Sequence, residues 1–398
     1  MRTATLLVPA LIVAVTSLAL GSGQEECTTA VVTAVATPDG HPLLWKNRDT
    51  GELSNKAVHV AEDPYSYVAV TNAEEPSGRI VWGGLNERGF AIINSVAYNL
   101  PRRGGEMADL EGMVMADALR TCATIQDFED YIARNLGPGL GCWTNFLVLD
   151  AEGGAAIFEV HNHGFVRLAS DTAARGYVLN TNFSRSGAPM AGEGYLRFQR
   201  EEELFGQQSP GTISVRFLLQ DVARDLGHVL LENPPRESWS SFPADVPHWL
   251  HTRHTIDRNI TASSILIRGV RKGEDPKHAT LWVILGEPLC SVAVPVWVAA
   301  GATPPELSQG EDAPIVQESR RLRARLRPLR GGAREEYLDL TKLDNREGTG
   351  WLPETLVAER SIIQETNQFL RTQPGAEAMA AFERAMAERA LKTLKAIP

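Results

Sequence analysis

The chain has 398 residues, 43% of them hydrophobic and 22% charged, an ordinary globular composition with enough apolar material for a sizeable core. Its formal net charge of −10 argues against nucleic acid and anionic membrane surfaces as partners. The four cysteines, Cys27, Cys122, Cys142 and Cys290, are too few for a disulfide scaffold in a chain this long, and no CxxC spacing points to a zinc ribbon or redox motif.

Met1-Arg2 gives a basic start, Leu6 to Leu20 is an apolar run without charge, and Ala19, Gly21, Ser22 and Gly23 offer cleavage sites just before Gln24. Residues 1–23 therefore read as a signal peptide, and the protein as secreted or periplasmic. The run is shorter than the roughly 20 residues of a spanning helix, so no membrane span is expected. A lipid-modified Cys27 is the rival use of a cysteine here, but Glu25 and Glu26 stand where that processing wants small apolar residues. If the leader is cut near Gly23, residues 24–26 remain as a short propeptide. A second cut, autocatalytic or not, is then needed to free the Cys27 amine.

A cysteine that begins a mature chain carries a thiol nucleophile and, on the same residue, an α-amine whose unperturbed pKa of about 7.7 lets it move protons near neutrality. One residue can then supply nucleophile and base. From Cys27 onward, Thr28 to Ala36, the turn Pro38-Asp39-Gly40, and Pro42 to Lys46 predict a hairpin, because Asp-Gly between apolar runs favours a tight turn. Further strands are expected in Ala57 to Thr71, Arg79 to Trp82, Phe90 to Val96, Asn145 to Leu149, Ala155 to Val160, Ser263 to Ile267 and Ala279 to Leu285. Helical spacing of apolar residues predicts helices over Met107 to Thr121, Ile125 to Asn135, Glu193 to Phe205 and Ile213 to Asp225. Many strands with a few grouped helices suggest sheet layers covered by helices. Cys122 with Cys142 is the expected disulfide pair, if one forms.

After Trp297 the composition shifts. Ala302 to Pro314 is rich in Pro, Gly and acid and reads as a linker, and the remainder to Ile397 reads as a helical appendage. Its stretch Arg320 to Arg330 holds six arginines, read as a solvated helix face balanced by Glu318, Glu335 and Glu336 rather than as a nucleic-acid site.

Cys27-Thr28-Thr29-Ala30, followed by the hairpin and then Lys46-Asn47-Arg48-Asp49, resembles the start of the N-terminal-nucleophile hydrolases that cleave linear amides. That family includes penicillin V acylases, bile salt hydrolases, acid ceramidases and the fungal acyl-coenzyme A:6-aminopenicillanate acyltransferases, and the Cys-Thr-Thr-Ala opening is most like the last. Asn86-Glu87-Arg88-Gly89, with the strand ending at Asn94, is similar to the family's Asn-x-x-Gly strand. Asn180-Thr181-Asn182 matches its Thr-Asn motif, and Leu196-Arg197-Phe198-Gln199-Arg200 its arginine-bearing helix. The matches come in the family's order and span Cys27 to about Trp297.

The resemblance implies an α+β fold, an αββα sandwich of two antiparallel sheets, with residues 27–300 as the hydrolase domain and 301–398 as linker and helical extension. It also implies an exported cysteine hydrolase that cleaves an N-acyl amide, with an acyltransferase as the close variant. Cys27 would attack the amide carbonyl while its α-amine moves the proton. Asp49 would orient that amine, and Asn182, or failing it Asn94, would donate to the oxyanion. Arg197 would hold Asp49 or the substrate. The family commonly has Arg three positions before the Asp, and Lys46 stands there. Lysine keeps the charge but loses the bidentate fork, and Arg48 is expected to replace that arginine only if the strand shifts. The partner is a small-molecule amide, and the oligomeric state stays open.

Plainer readings exist for each residue: Asp49 as a turn residue, Asn94 as a strand-end cap, Arg197 as surface. Asn182-Phe183-Ser184 and Asn259-Ile260-Thr261 are glycosylation sequons, though Asn182 cannot carry a glycan if it lines a buried site. His161, His163, His248, His251 and His254 lack carboxylates at ligand spacing, and Gly137 to Gly141 lacks the GxGxxG pattern, so neither metal nor cofactor is expected. The rival from another class is an exported binding or structural protein, lipid-anchored through a Cys27 that does no chemistry.

Overall fold

The computed structural model describes residues 25–101, 109–137, 139–169 and 173–398, so the expected leader and the first residues of the helix predicted from Met107 lie outside it. The chain enters through the predicted hairpin of β1 (Glu26–Val32) and β2 (Leu43–Asp49), in which Cys27 lies opposite Arg48 and Glu26 opposite Asp49. Gly40 takes the positive φ of 74° that its turn requires.

Seven strands then follow in chain order as an antiparallel meander: β3 (Asn55–Val60), β4 (Tyr67–Asn72), β5 (Gly83–Asn86), β6 (Ala91–Val96), β7 (Thr144–Leu149), β8 (Ala155–His161) and β9 (Gly164–Ala169). After them come β10 (Tyr177–Asn180), β11 (Trp249–His251), β12 (Thr261–Arg268), β13 (Thr280–Leu285), β14 (Val294–Val296) and β15 (Tyr337–Asp339). Four of these join the hairpin in a second antiparallel sheet of order β10-β1-β2-β12-β13-β14, while β11 pairs with β15.

The two sheets stack face to face. A Cβ on Gly83 of β5 would lie 2.9 Å from Ile93 Cγ2 and 3.1 Å from Ile265 Cδ1, so the layers approach too closely there for any side chain. Strand alternation divides β2 between two environments. Lys46 reaches Asn94 of the facing sheet, while Asn47 points the other way and donates to the carbonyl of Ala223. Both faces of the central strands are buried, so polar side chains such as Lys46 and Asn47 take their hydrogen-bond partners from within the protein.

Helices complete the sandwich. On the outer face of the meander lie α1 (Glu111–Thr121) and α2 (Ile125–Asn135), the latter started by a reciprocal capping box between Thr124 and Asp127. Phe128 of α2 meets Phe146 and Phe158 edge-on at 5.5 and 5.3 Å. Against the other sheet pack α3 (Tyr195–Gly206), α5 (Pro314–Leu326), α6 (Leu352–Arg371) and α7 (Ala376–Ala396), while the short α4 (Pro305–Ser308) joins α5 and α7 to β3 of the meander. The fold is thus an α+β sandwich of two antiparallel sheets between helical layers, with C-terminal helices.

Beyond the strand expected over Arg79 to Trp82, which runs instead over Gly83–Asn86, three local readings differ from the structure. The helix predicted over Ile213 to Asp225 is instead a π-helical turn at Phe217–Val222, because the side chains of Asn47 and Arg224 take the carbonyls of Ala223 and Leu219. Cys122 and Cys142 are not bonded to each other, and all four cysteines are free thiols. Cys122 follows α1 and Cys142 precedes β7, each packed into the apolar layer between the helices and the meander. The third concerns the arginine run, whose partners are not the predicted ones alone. Arg320 pairs with Asp312, Arg321 with Glu318, and Arg323 and Arg327 with the buried Glu287, while Arg325 lies over the Trp351 ring.

Residues after Trp297 share one core with the sheets. Leu307, Ile315, Leu322, Leu326, Ile362 and Leu394 are buried in the same apolar cluster as Trp45, Ile265 and Val283. Polar anchoring is equally deep. Arg224 donates to both oxygens of Glu359 on α6 at 2.9 and 2.8 Å, both side chains are fully buried, and Glu359 also accepts from the Ala293 N–H. Removing one partner of such a pair strands the other charge. Glu359→Gln should therefore cost about 3–5 kcal/mol of stability, read by urea unfolding. A loss under about 1 kcal/mol, the scale of a surface pair, would contradict this account.

Candidate active site

The hairpin and β10 converge where the described chain begins. Cys27, only 3% exposed, donates its backbone N–H to Asn182 Oδ1 at 2.9 Å, and its carbonyl accepts from Arg197 Nη1 at 2.7 Å. Asn182 lies two residues past the end of β10, in line with the β1–β10 register that sets Thr29 opposite Asn180. Its Oδ1 also accepts from Arg197 Nη2 at 2.7 Å, and its Nδ2 donates to the Val96 carbonyl at 3.0 Å. Asn182 is fully buried, so its sequon carries no glycan in this fold. Arg197, buried in the first turn of α3, adds a bond to Thr28 Oγ1 at 2.9 Å.

Cys27, Lys46 and Arg48 face the meander together. The Lys46 ammonium donates to Asn94 Oδ1 at 2.6 Å and to the Trp82 carbonyl at 3.0 Å, on the face it shares with the Cys27 thiol. Asn94 Nδ2 in turn donates to Thr144 Oγ1 at 3.3 Å, the longest bond of the group. Burial pushes the thiol pKa up and the lysine's down, while their proximity opposes both shifts by favouring the thiolate-ammonium pair. Arg48 needs no strand shift to reach this face. It stands two residues from Lys46, directly opposite Cys27, because side chains two apart on a strand point the same way.

Asp49 occupies the other face, opposite Glu26. Its Oδ1 accepts from Thr261 Oγ1 at 2.6 Å, Arg258 lies 3.7 Å from Oδ2, and Oδ2 has no hydrogen-bond partner among the described residues. Burial raises its pKa to about 6 against the pull of Arg258 and Arg197. All six residues singled out from the sequence, Cys27, Lys46, Asp49, Asn94, Asn182 and Arg197, are thus buried around one strand end, with Asp49 on the face away from the thiol.

Several neighbours were not singled out. Glu26 Oε2 accepts from Arg197 Nη2 and from Arg258 Nη1, each at 2.6 Å, and Glu25 Oε1 accepts from Arg48 Nη2 at 3.0 Å. Two adjacent acids directly before Cys27 were a visible signal, weighed above only against lipidation. Arg258, Thr261 and Trp82 belong to no local pattern and meet the site only through the sheet. A broad surface cleft lined by His41, Arg268, Arg271, Asn367 and Arg371 contains none of the site residues. Among the described residues no group of His, Cys, Asp and Glu could hold a metal ion, and no helix is long and apolar enough to cross a membrane.

No protein-family model and no curated protein matches the chain. Among solved structures it is similar to a Caenorhabditis elegans ortholog of N-acylethanolamine-hydrolyzing acid amidase, at 14% identity over 61% of this chain and 92% of that one, TM-score 0.39. It is also similar to a conjugated bile acid hydrolase variant from Clostridium perfringens, at 9% identity over 68% of this chain and 92% of that one, TM-score 0.40. A third is the penicillin V acylase of Agrobacterium tumefaciens, at 13% identity over 68% and 86%, TM-score 0.35. Identities and TM-scores this low leave the reading to the site's own geometry.

The Asp49 carboxyl gives a pH dependence whose sign follows from its shift. Its folded pKa of about 6 lies above the ordinary 3.8. Between those values the unfolded chain has released the proton while the folded chain still holds it, so stability is full below the ordinary value and falls as pH rises toward 6. In uncut chain carrying Cys27→Ala, Asp49→Asn should abolish a loss of about 2 kcal/mol between pH 4 and pH 7. Denaturant unfolding at the two pH values checks this, and an unchanged slope would mean Asp49 is already ionised at pH 4.

Proposed function

We propose that the chain is an exported amidohydrolase of the N-terminal-nucleophile class, which cleaves a non-peptide linear amide with the thiol of Cys27 once the residues before it are gone. The observation that supports this reading is the double hold on Cys27. Asn182 grips its backbone nitrogen, and the buried Lys46 ammonium acts on its thiol through space, so future base and nucleophile have separate partners on a buried strand end.

The cut that frees Cys27 uses the same parts. The thiol attacks the Glu26 carbonyl carbon, the C–N bond breaks as the nitrogen takes a proton to become the α-amine, and water hydrolyses the thioester to release the Glu26 carboxylate and restore the thiol. In the mature enzyme the thiol attacks the substrate amide, and the α-amine takes the thiol proton and delivers it to the leaving amine. Lys46 stabilises the thiolate, and water resolves the acyl-enzyme. An acceptor amine in place of that water gives the acyltransferase variant.

Hydrogen bonding divides the two asparagines. Asn182 presents its oxygen to the Cys27 nitrogen and spends its NH2 on Val96, which suits an orienter of the α-amine. Asn94 holds only a long bond from Nδ2, on the thiol side, which suits the oxyanion donor. Arg197 is a positioning residue, fixing Asn182 and the Cys27 carbonyl.

Cys27→Ala should leave the residues before position 27 attached by intact mass and abolish turnover of an N-acyl amide. Fully active enzyme whose mass still included Gln24 would overturn the mechanism. Asn94→Ala should lower kcat by about 10² to 10³ with little change in KM, the scale for loss of one oxyanion donor. Asn182→Ala should instead shift the pH-rate profile, because the α-amine loses its acceptor. A collapse of kcat in Asn182→Ala with a normal Asn94→Ala would reverse the two roles.

A further inference from the structure

The two acids before Cys27 each neutralise buried cations, and the cut removes both acids together. Glu26 bridges Arg197 and Arg258, and Glu25 pairs with Arg48, whose side chain is 1% exposed. After the cut these arginines fare differently. Arg197 keeps the Cys27 carbonyl, Thr28 Oγ1 and Asn182 Oδ1. Arg258 keeps Asp49 at 3.7 Å. Arg48 keeps the neutral Asn55 Oδ1 at 3.2 Å and the Trp82 ring at 4.2 Å, its Nε has no hydrogen-bond partner among the described residues, and Glu52 acts on it only through space.

Arg197 and Arg48 both lose their paired carboxylates when the chain matures, but Arg197 keeps three neutral acceptors and Arg48 only one, so Arg48 is the cation left least satisfied. It points from the position opposite Cys27, on the thiol's own face, with the Trp82 ring fixing its plane. A buried guanidinium without an anion is costly, and a planar fork held on an aromatic face suits a carboxylate. Glu25 lies two residues before Cys27 and is attached through the very carbonyl that the thiol must attack, so its carboxylate marks where an anionic group of a bound amide falls.

We propose that Arg48 is the anion-binding residue of the mature site, that its ligand is a carboxylate on the substrate amide, and that Glu25 occupies the place until the cut. The proposal rests on the amidohydrolase reading for the word substrate, but the anion site itself does not need turnover.

The test uses full chain that has matured to a Cys27 terminus, verified by mass. The first measurement is protection of Cys27 from iodoacetamide by acetyl-Gln-Glu-Glu, which carries the natural sequence of residues 24–26, and by its Glu25→Gln counterpart acetyl-Gln-Gln-Glu. The natural peptide should protect at concentrations about tenfold or more lower, the scale of one charged hydrogen-bonded pair. The second measurement is kcat/KM for matched amides: glutaryl against pentanoyl aminomethylcoumarin places the carboxylate on the acyl side, and pentanoyl 4-aminobenzoate against pentanoyl anilide places it on the amine side. One carboxylated member should exceed its neutral partner by about tenfold or more, and the pair that does so identifies the side. Arg48→Met should erase both preferences and Arg48→Lys should retain part of them. Where Arg48→Met fails to mature, the wild-type peptide and amide ratios decide alone. Equal protection by the two peptides with equal turnover within both amide pairs would overturn the anion site while leaving the amidohydrolase standing. Peptide discrimination without hydrolysis of any amide would keep the anion site and sink the amidohydrolase.

Discussion

A guanidinium buried in a protein must be paired, and three of them converge on the first two described residues of this chain. Arg48, Arg197 and Arg258 are each about nineteen-twentieths or more buried, and Glu25 and Glu26 supply carboxylates to all three. That pairing holds the start of β1 against β2 and β10 and so sets where Cys27 sits. The acids that satisfy the arginines are also the two residues directly before Cys27 in the chain. Under the proposed reading, one bond cleavage opens the space, creates the α-amine and leaves cations that a substrate can satisfy.

The surrounding layers exist to make that burial tolerable. Alternation along β2 sends Lys46 and Arg48 toward the meander and Asn47 and Asp49 toward the helices, so four polar side chains in one strand find partners on two sides. A single sheet with one wet face would have left half of them in water, where their mutual electrostatics would be screened. The C-terminal helices belong to this arrangement. Glu359 on α6 neutralises Arg224, which in turn reaches the Leu219 carbonyl in the π-helical turn next to the Ala223 carbonyl bound by Asn47. The far end of the chain thereby supports the layer behind β1 and β2.

Much of the site was legible because strand and turn chemistry is local. Asp39-Gly40 specifies a tight turn, the turn specifies a hairpin, and the hairpin brings Lys46 to Asp49 back to Cys27. Asn182 and Arg197 needed the ordered motif set, since nothing in their neighbours shows which strand they adjoin. The helix over Ile213 to Asp225 misled because its apolar spacing is helical, yet the side chains of Arg224 within it and of the distant Asn47 take its carbonyls.

Sequence alone therefore determined the N-terminal hairpin, most of the longer strands and helices, the nucleophile candidate and the charge types gathered around it, since these follow from spacing, turn residues and residue chemistry. Tertiary structure alone decided which atom of each group faces which partner. Asn182 turns its oxygen to Cys27, Asp49 lies on the side away from the thiol, Arg48 stands beside Lys46 without a strand shift, and Glu25 fills the place before it. The reason is that hydrogen-bond direction and ion pairing at buried positions depend on the registers of three strands and the docking of α3. The docking of β10 and α3 on β1 is set by contacts between residues more than 150 positions apart in the chain.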